Sequence, residues 1–186
     1  MMRTSLLVLL AGMALGAGCS DDREAPSSVR ISPMVSRVTG LYFDKDDRIG
    51  LTISRTSGDY VTNRLMTYDG SVFTASGLKW YESTQETSTL TAYYPYSEAG
   101  VPSAFSVEAD QRQGCTSSDL LGAVAREVRP GSAPVAMVFY HLMSQLSVVV
   151  ENNGSSPVAA VKIGGSAVEA VVDLAVPSAK AKAGAA

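Results

Sequence analysis

The strongest constraint on the fold is the apolar run at residues 135–151, V-A-M-V-F-Y-H-L-M-S-Q-L-S-V-V-V-E. Apolar side chains alternate with a period of two up to His141, and they alternate again from Ser144 in the opposite phase. A period of two places one set of side chains on each face of a sheet, and one inserted residue reverses the phase. The run therefore predicts one long strand, bent by a bulge after His141, at the centre of a β-sandwich.

Short β-prone segments separated by turns fill the rest of residues 29–176. Asp69-Gly70, between two such segments, predicts a tight hairpin because both residues tolerate positive φ. Residues 158–163 predict a further strand, whereas residues 117–128 fit either a strand or a short helix. About seven to nine short strands with frequent turns are typical of an all-β sandwich with Greek-key connections.

Composition argues against several classes of function. A hydrophobic content of 46% and a formal charge of −3 over 186 residues describe one domain without the basic stripe that nucleic-acid binding requires. His141 is the single histidine, which argues against a catalytic triad or a multi-histidine metal site. Asp44, Asp46 and Asp47 lack the glycine and distal glutamate of an EF-hand, and we interpret them as a solvated turn. We therefore expect no active site, no metal and no cofactor.

The first 28 residues predict export and a lipid anchor. Residues 1–18 contain Arg3, an apolar run at residues 6–15 and small residues directly before Cys19, which is typical of a lipoprotein signal peptide. Cys19 is therefore the predicted site of lipidation; the alternative is a soluble secreted protein with an unused cysteine. Residues 19–28 contain three serines, three acidic residues and Pro26, and they predict an acidic, flexible tether.

Aromatic residues in the middle of the chain are the best candidates for ligand binding. Trp80, Tyr94 and Tyr96 could form a platform for sugar rings, because such rings pack well on aromatic faces. The alternative interpretation is that these side chains fill the core of a sandwich. Cys115 is interpreted as a free thiol.

Several short motifs follow one another along residues 31–174. They are Phe43-x-x-x-Asp47-Arg48-Ile49-Gly50, Ala92-Tyr93-Tyr94-Pro95-Tyr96, Phe105-Ser106-Val107, Asp110-Gln111, Ser118-Asp119-Leu120-Leu121 and Phe139-x-His141-x-x-Ser144-x-x-Ser147. In this order they resemble the fimbrillin family of lipoproteins from Gram-negative anaerobes. The resemblance implies a transthyretin-like β-sandwich and a lipid-anchored protein exposed on the outer membrane.

The same resemblance implies a mode of assembly. Fimbrillins lose an N-terminal strand to an arginine-specific protease and fill the resulting groove with a strand from a neighbouring subunit, which is a form of β-augmentation. On this pattern Arg37 is the first candidate for processing and Arg55 the second. The implied partners are other fimbrial subunits and, for an adhesin, host or bacterial surface glycans or proteins.

The end of the chain departs from the family pattern. Fimbrillins carry a second sandwich domain and a C-terminal donor segment, whereas residues 177–186 read as a low-complexity tail of Ala, Lys and Gly. We therefore expect an N-terminal fimbrillin domain only, from either a truncated fimbrillin or a one-domain relative. The predicted function is a structural or adhesive surface lipoprotein, a fimbrial (pilus) subunit or pilus-associated component that assembles by β-strand exchange. The alternative is a surface glycan-binding lipoprotein.

Overall fold

The computed structural model describes residues 26–36, 43–111, 114–157 and 165–182. Within these ranges the chain forms ten strands, which confirms the predicted all-β class. The strands are β1 Ser28–Val35, β2 Arg48–Arg55, β3 Gly58–Tyr68, β4 Phe73–Lys79, β5 Ser88–Tyr94, β6 Ala104–Ser106, β7 Leu121–Val128, β8 Val135–His141, β9 Glu169–Asp173 and β10 Ser178–Ala181. A 3-10 helix, Thr116–Ser118, precedes β7, and no helix of the described segments is long and apolar enough to cross a bilayer.

Seven of the strands close into a barrel in the order β1-β4-β3-β2-β5-β7-β8, with β8 returning to β1. Neighbouring strands are antiparallel except β1 and β8, which run parallel. The sequence predicts two facing sheets, and the structure instead bridges them, because β1 lies between β4 and β8 and hydrogen-bonds to both. The remaining strands form a small sheet in the order β10-β9-β6.

The barrel interior is filled by apolar side chains that alternate along its strands, as a period of two requires. Those buried there are Val29, Ile31, Ile49, Leu51, Ile53, Met66, Phe73, Leu78, Trp80, Tyr81, Leu90, Ala92, Leu121, Ala123, Met137 and Phe139. Phe43 covers one end, with its ring edge-on to Phe73 at 4.9 Å and to Phe139 at 5.1 Å between centroids. Edge-to-face packing of this kind adds to the stabilisation from burial alone.

A second, smaller core lies outside the barrel. Val172 and Leu174, from β9 and the turn after it, pack with Tyr93 and Leu120. Gly122 of β7 permits this approach, because a Cβ there would lie 3.2 Å from Leu174. The small sheet therefore covers the outer face of the barrel near β5 and β7, so these two strands are packed on both faces.

The predicted strand at residues 135–151 is wrong beyond His141. β8 ends at that residue, and residues 144–157 form no regular secondary structure. Their apolar side chains are exposed, with Leu146 at 69% and Val149 at 91% of full accessibility. Alternation alone predicted a strand, but a strand also needs a neighbour, and this segment continues past the end of the barrel where no strand of the described residues pairs with it.

Three further predictions have clear outcomes. The hairpin at Asp69 is confirmed: β3 and β4 pair across it, and Asp69 Oδ1 accepts the backbone N–H groups of Ser71 and Val72. Residues 117–128 are mainly a strand, β7. Ser178–Ala181, predicted as low-complexity tail, instead pairs with β9 as β10. The predicted strand at residues 158–163 lies outside the described residues.

A glycine on β2 provides a test of the outer packing. A Cβ on Gly50 would overlap the ring carbon Cε1 of Tyr93 and lie 2.7 Å from Oδ1 of Asn63. We expect Gly50→Ala to lower the free energy of unfolding by about 1–3 kcal/mol, because overpacking forces side chains out of their rotamers. Gly131→Ala is the control, since a Cβ there meets no atom within 4 Å. Equal urea midpoints for the two variants would contradict this packing.

Candidate functional site

The candidate functional element of the fold is β1, which completes the barrel. Its pattern S-V-R-I-S-P-M-V directs Val29 and Ile31 inward, where they are 1% and 0% exposed. Met34 faces outward and is 51% exposed. The inward residues fill a slot in the wall, which we call the β1 slot and define as the space between β4 and β8 that β1 occupies.

The two sides of the β1 slot are paired unequally. Five successive residues of β1, from Ile31 to Val35, pair with β8 in parallel. Only Ser28, Arg30 and Ile31 pair with β4, and the register shifts between the first two. Parallel pairs are slightly less stable per residue than antiparallel ones, and a register shift leaves backbone groups outside the ladder. β1 is therefore held less regularly than β2 is by β5, where six successive residues from Gly50 to Arg55 pair in antiparallel without a shift.

Trp80 does not present a face for a sugar ring. Its side chain is 2% exposed, it packs edge-on against Tyr81 at 6.0 Å, and it belongs to the barrel core. A cavity of about 930 Å³ lies beside these two aromatics, between residues 26–27, 80–85 and 130–132. The Trp80 backbone N–H donates to the Ser27 carbonyl at 2.9 Å, so this residue also fixes the start of β1.

Tyr94 and Tyr96 lie at the other end of the barrel, because β5 runs from the Trp80 end to Tyr94 over about 20 Å. The Tyr94 hydroxyl donates to Asp47 Oδ1 at 3.2 Å, and its ring packs against Phe43 at 5.4 Å. Tyr96 is half-buried, and its backbone N–H donates to the Arg48 carbonyl. The structure therefore does not bring the three aromatics of the predicted platform together.

Of the candidate processing and lipidation sites, Arg55 is the one that lies within the described residues. Arg37 and Cys19 lie outside the described residues, so both assignments stay predictions. Arg55 ends β2, and its guanidinium contacts the Glu86 carboxylate at 3.2 Å. It also lies 4.8 Å from the centre of the Tyr81 ring. Cleavage at Arg55 stays a prediction too, but a protease would have to extract this side chain from its contacts.

His141 and Asp119 form a hydrogen-bonded pair near the ends of two strands. His141 Nδ1 lies 2.9 Å from Asp119 Oδ2, joining the end of β8 to the segment before β7. The two side chains are 17% and 15% exposed, and the pair fits the hydrogen-bonded structural role expected of a histidine on a strand. The described residues contain no group of three or more His, Cys, Asp or Glu that could hold a metal ion, and Cys115 is a free thiol.

Sequence reasoning missed the loop at residues 129–134, which joins β7 to β8. This loop contacts Ser27 and Arg30 at the beginning of β1. Pro130 and Pro134 near its two ends are a signal of a restrained connection. They could not have identified its partner, which is more than a hundred residues away in the chain.

The described residues form an all-β barrel that a strand from the beginning of the domain completes. The comparisons with known proteins identify the family to which the chain belongs. The sequence profile of the Fimbrillin-like family matches residues 36–186, and the chain belongs to this family. No curated protein matches the chain.

Two solved structures from Bacteroides ovatus are similar to this chain. One is described as a candidate cell adhesion protein: it is 22% identical with a TM-score of 0.59, over 87% of this chain and 70% of that one. The other is described as a fimbrial protein, 16% identical with a TM-score of 0.49, over 64% of this chain and 29% of that one. The first likeness supports the fold.

The environment of Tyr94 predicts that the free energy of unfolding depends on pH at high pH. Burial, together with the Asp47 carboxylate, raises the pKa of Tyr94 from 10.0 to about 12. The folded protein thus holds the phenolic proton more tightly than the unfolded chain, so this group stabilises the fold below pH 10 and loses its contribution as the pH rises to about 12. Tyr94→Phe should show a smaller loss of stability across that interval in urea titrations at fixed pH. If the free energy of unfolding depended on pH equally in Tyr94→Phe and in the parent protein, the raised pKa of Tyr94 would be contradicted.

Proposed function

We propose that this chain is a structural or adhesive subunit of a surface fimbria, with no enzymatic role, and that it assembles by exchange of β1 for a strand of a neighbouring subunit. The observation that carries the proposal is the position of β1. It is the first strand of the described domain, it fills the wall between β4 and β8, and its buried Val29 and Ile31 complete the core. Membership of the Fimbrillin-like family supports the same role.

The energetics of the β1 slot favour exchange over simple loss of the strand. Removal of β1 leaves unpaired N–H and C=O groups on β4 and β8 and exposes the apolar interior at Phe73 and Phe139. A second strand can satisfy both requirements through backbone pairing and alternate apolar side chains. An emptied slot is therefore a strong acceptor for a strand of matching pattern.

Cleavage between β1 and β2 would release β1 without cutting the retained barrel. Arg37 lies just after the last described residue of this segment, Ser36, and follows the end of β1 by two residues. Arg55 is the less suitable site, because its side chain is engaged by Glu86 and Tyr81 and a cut there would divide β2 from β3. We propose Arg37 as the processing site.

We propose further that Cys19 is lipidated and holds the protein on the outer surface of the outer membrane. The support is the apolar run at residues 6–15 that ends in small residues directly before this cysteine. Anchoring through acyl chains would keep each subunit at the membrane while its barrel meets a partner strand. The cell adhesion description of the Bacteroides ovatus structure is consistent with this location.

Strand exchange can be measured on the nicked protein. The chain is cut with an arginine-specific protease and offered a fluorescent peptide of residues 26–36. We expect the peptide to displace β1 and bind, whereas the same peptide with Ile31→Asp should not bind, because a carboxylate cannot be buried unpaired in the core. The same cut at a protease recognition sequence inserted after Ser36 tests the slot independently of natural processing. A folded, nicked barrel that takes up neither peptide would refute exchange.

The anchor has a separate test. We expect Cys19→Ser to move the protein from the membrane fraction to the soluble fraction, because acyl chains contribute about 0.8 kcal/mol for each buried CH2 group. Metabolic labelling with a fatty-acid analogue should mark the parent protein and not the variant. A variant that still sediments with membranes after a high-salt wash would contradict lipid anchoring.

A further inference from the structure

The start of β1 is held by side-chain hydrogen bonds as well as by the sheet. The Ser27 hydroxyl donates to the carbonyl of Gly131 at 2.7 Å, and the Arg30 guanidinium donates to the carbonyl of Ser132. Both acceptors belong to the loop at residues 129–134 that joins β7 to β8. Two adjacent backbone carbonyls thus lie beside the entrance of the β1 slot, and we call them the carbonyl pair.

The carbonyl pair differs in chemistry from the rest of the slot. Backbone pairing with β4 and β8 does not depend on the identity of the side chain, and even Pro33 of β1 lies opposite Met137. The inward positions of Val29 and Ile31 require only apolar side chains of suitable volume. A carbonyl oxygen accepts hydrogen bonds and cannot donate them. A strand with serine and arginine at these positions is therefore favoured, whereas a carboxylate near the Ser132 carbonyl would be disfavoured by charge and would lack a proton to donate.

The geometry points to a selection rule for the strand that fills the slot, and this inference rests on the proposed exchange. We infer that the carbonyl pair selects an incoming segment from a neighbouring subunit that has a hydroxyl or amide donor at the Ser27 position and a cationic side chain at the Arg30 position. That cationic side chain lies between two inward apolar residues, as Arg30 lies between Val29 and Ile31. The incoming strand runs parallel to β8 and antiparallel to β4, as β1 does.

The hydrogen bond from Arg30 to the Ser132 carbonyl is better suited to discriminating between incoming strands than to providing most of the binding free energy. The Arg30 side chain is partly exposed, so solvent can replace part of the bond when the guanidinium is lost. Hydrogen bonds to a charged group contribute more than neutral ones, and losing one corresponds to about a tenfold weaker affinity. A change of that size separates cognate from non-cognate strands while the inward apolar residues provide most of the binding.

The test compares peptides of residues 26–36 for binding to the nicked chain, by competition in fluorescence anisotropy. Arg30→Ala should weaken binding about tenfold, Arg30→Asp should weaken it further, and Arg30→Lys should retain most of the affinity because it keeps a cationic donor. Met34→Ala is the matched control on the same outward face, with a side chain that is 51% exposed, and it should bind like the native peptide.

The outcomes separate this inference from the proposed function. Native and Arg30→Ala peptides that bind equally well would overturn the selection rule and leave strand exchange intact. Failure of the native peptide to bind would overturn exchange, and the selection rule with it. Equal weakening by Arg30→Ala and Met34→Ala would mean that the outward face contributes without regard to the carbonyl pair, and this too would overturn the inference.

Discussion

Closure of the barrel by β1 is the interaction on which the rest of the structure depends. Six strands provide a curved wall with a gap between β4 and β8, and the seventh both pairs the edges of that gap and inserts Val29 and Ile31 into the core. The aromatic residues Phe43, Phe73 and Phe139 then pack in a closed interior instead of facing water. One strand therefore pairs both edges of the gap and completes the buried interior of the barrel at once.

The side of the barrel formed by β2 and β5 is packed on its outer face as well as on its inner face. Tyr93 lies on the outer face over Gly50, and its hydroxyl donates to Asn63 Oδ1 at 2.6 Å and accepts the Ser97 N–H at 3.2 Å. The small sheet adds Leu174 over the same region. This side is consequently packed on both faces and cross-linked by side-chain hydrogen bonds, whereas β1 has a single buried face. The fold thus combines a wall that is packed on both faces near β5 and β7 with one strand, β1, that is buried on one face only.

Period-two alternation predicted the all-β class and the first half of the 135–151 run, because Met137 and Phe139 do face the core. It failed beyond His141, since alternation reports which residues could line a sheet and not where a neighbouring strand ends. The aromatic platform failed for a related reason: Trp80 and Tyr94 are close in the chain but are separated by the length of β5. The contact of Arg30 with Ser132 joins distant segments and carries no local signal.

The sequence distance between β1 and its parallel partner has a consequence for the order of folding. Ser27 and Gly131, which meet at the entrance of the slot, are 104 residues apart in the chain. Contacts of such separation form late, because the entropy of closing so long a loop must be met before any of them contributes. The loop that joins β3 to β4 is short, so its closure costs less entropy and we expect this hairpin to form earlier. We therefore expect a folding chain to pass through an interval in which most of the wall exists and the gap between β4 and β8 is still open.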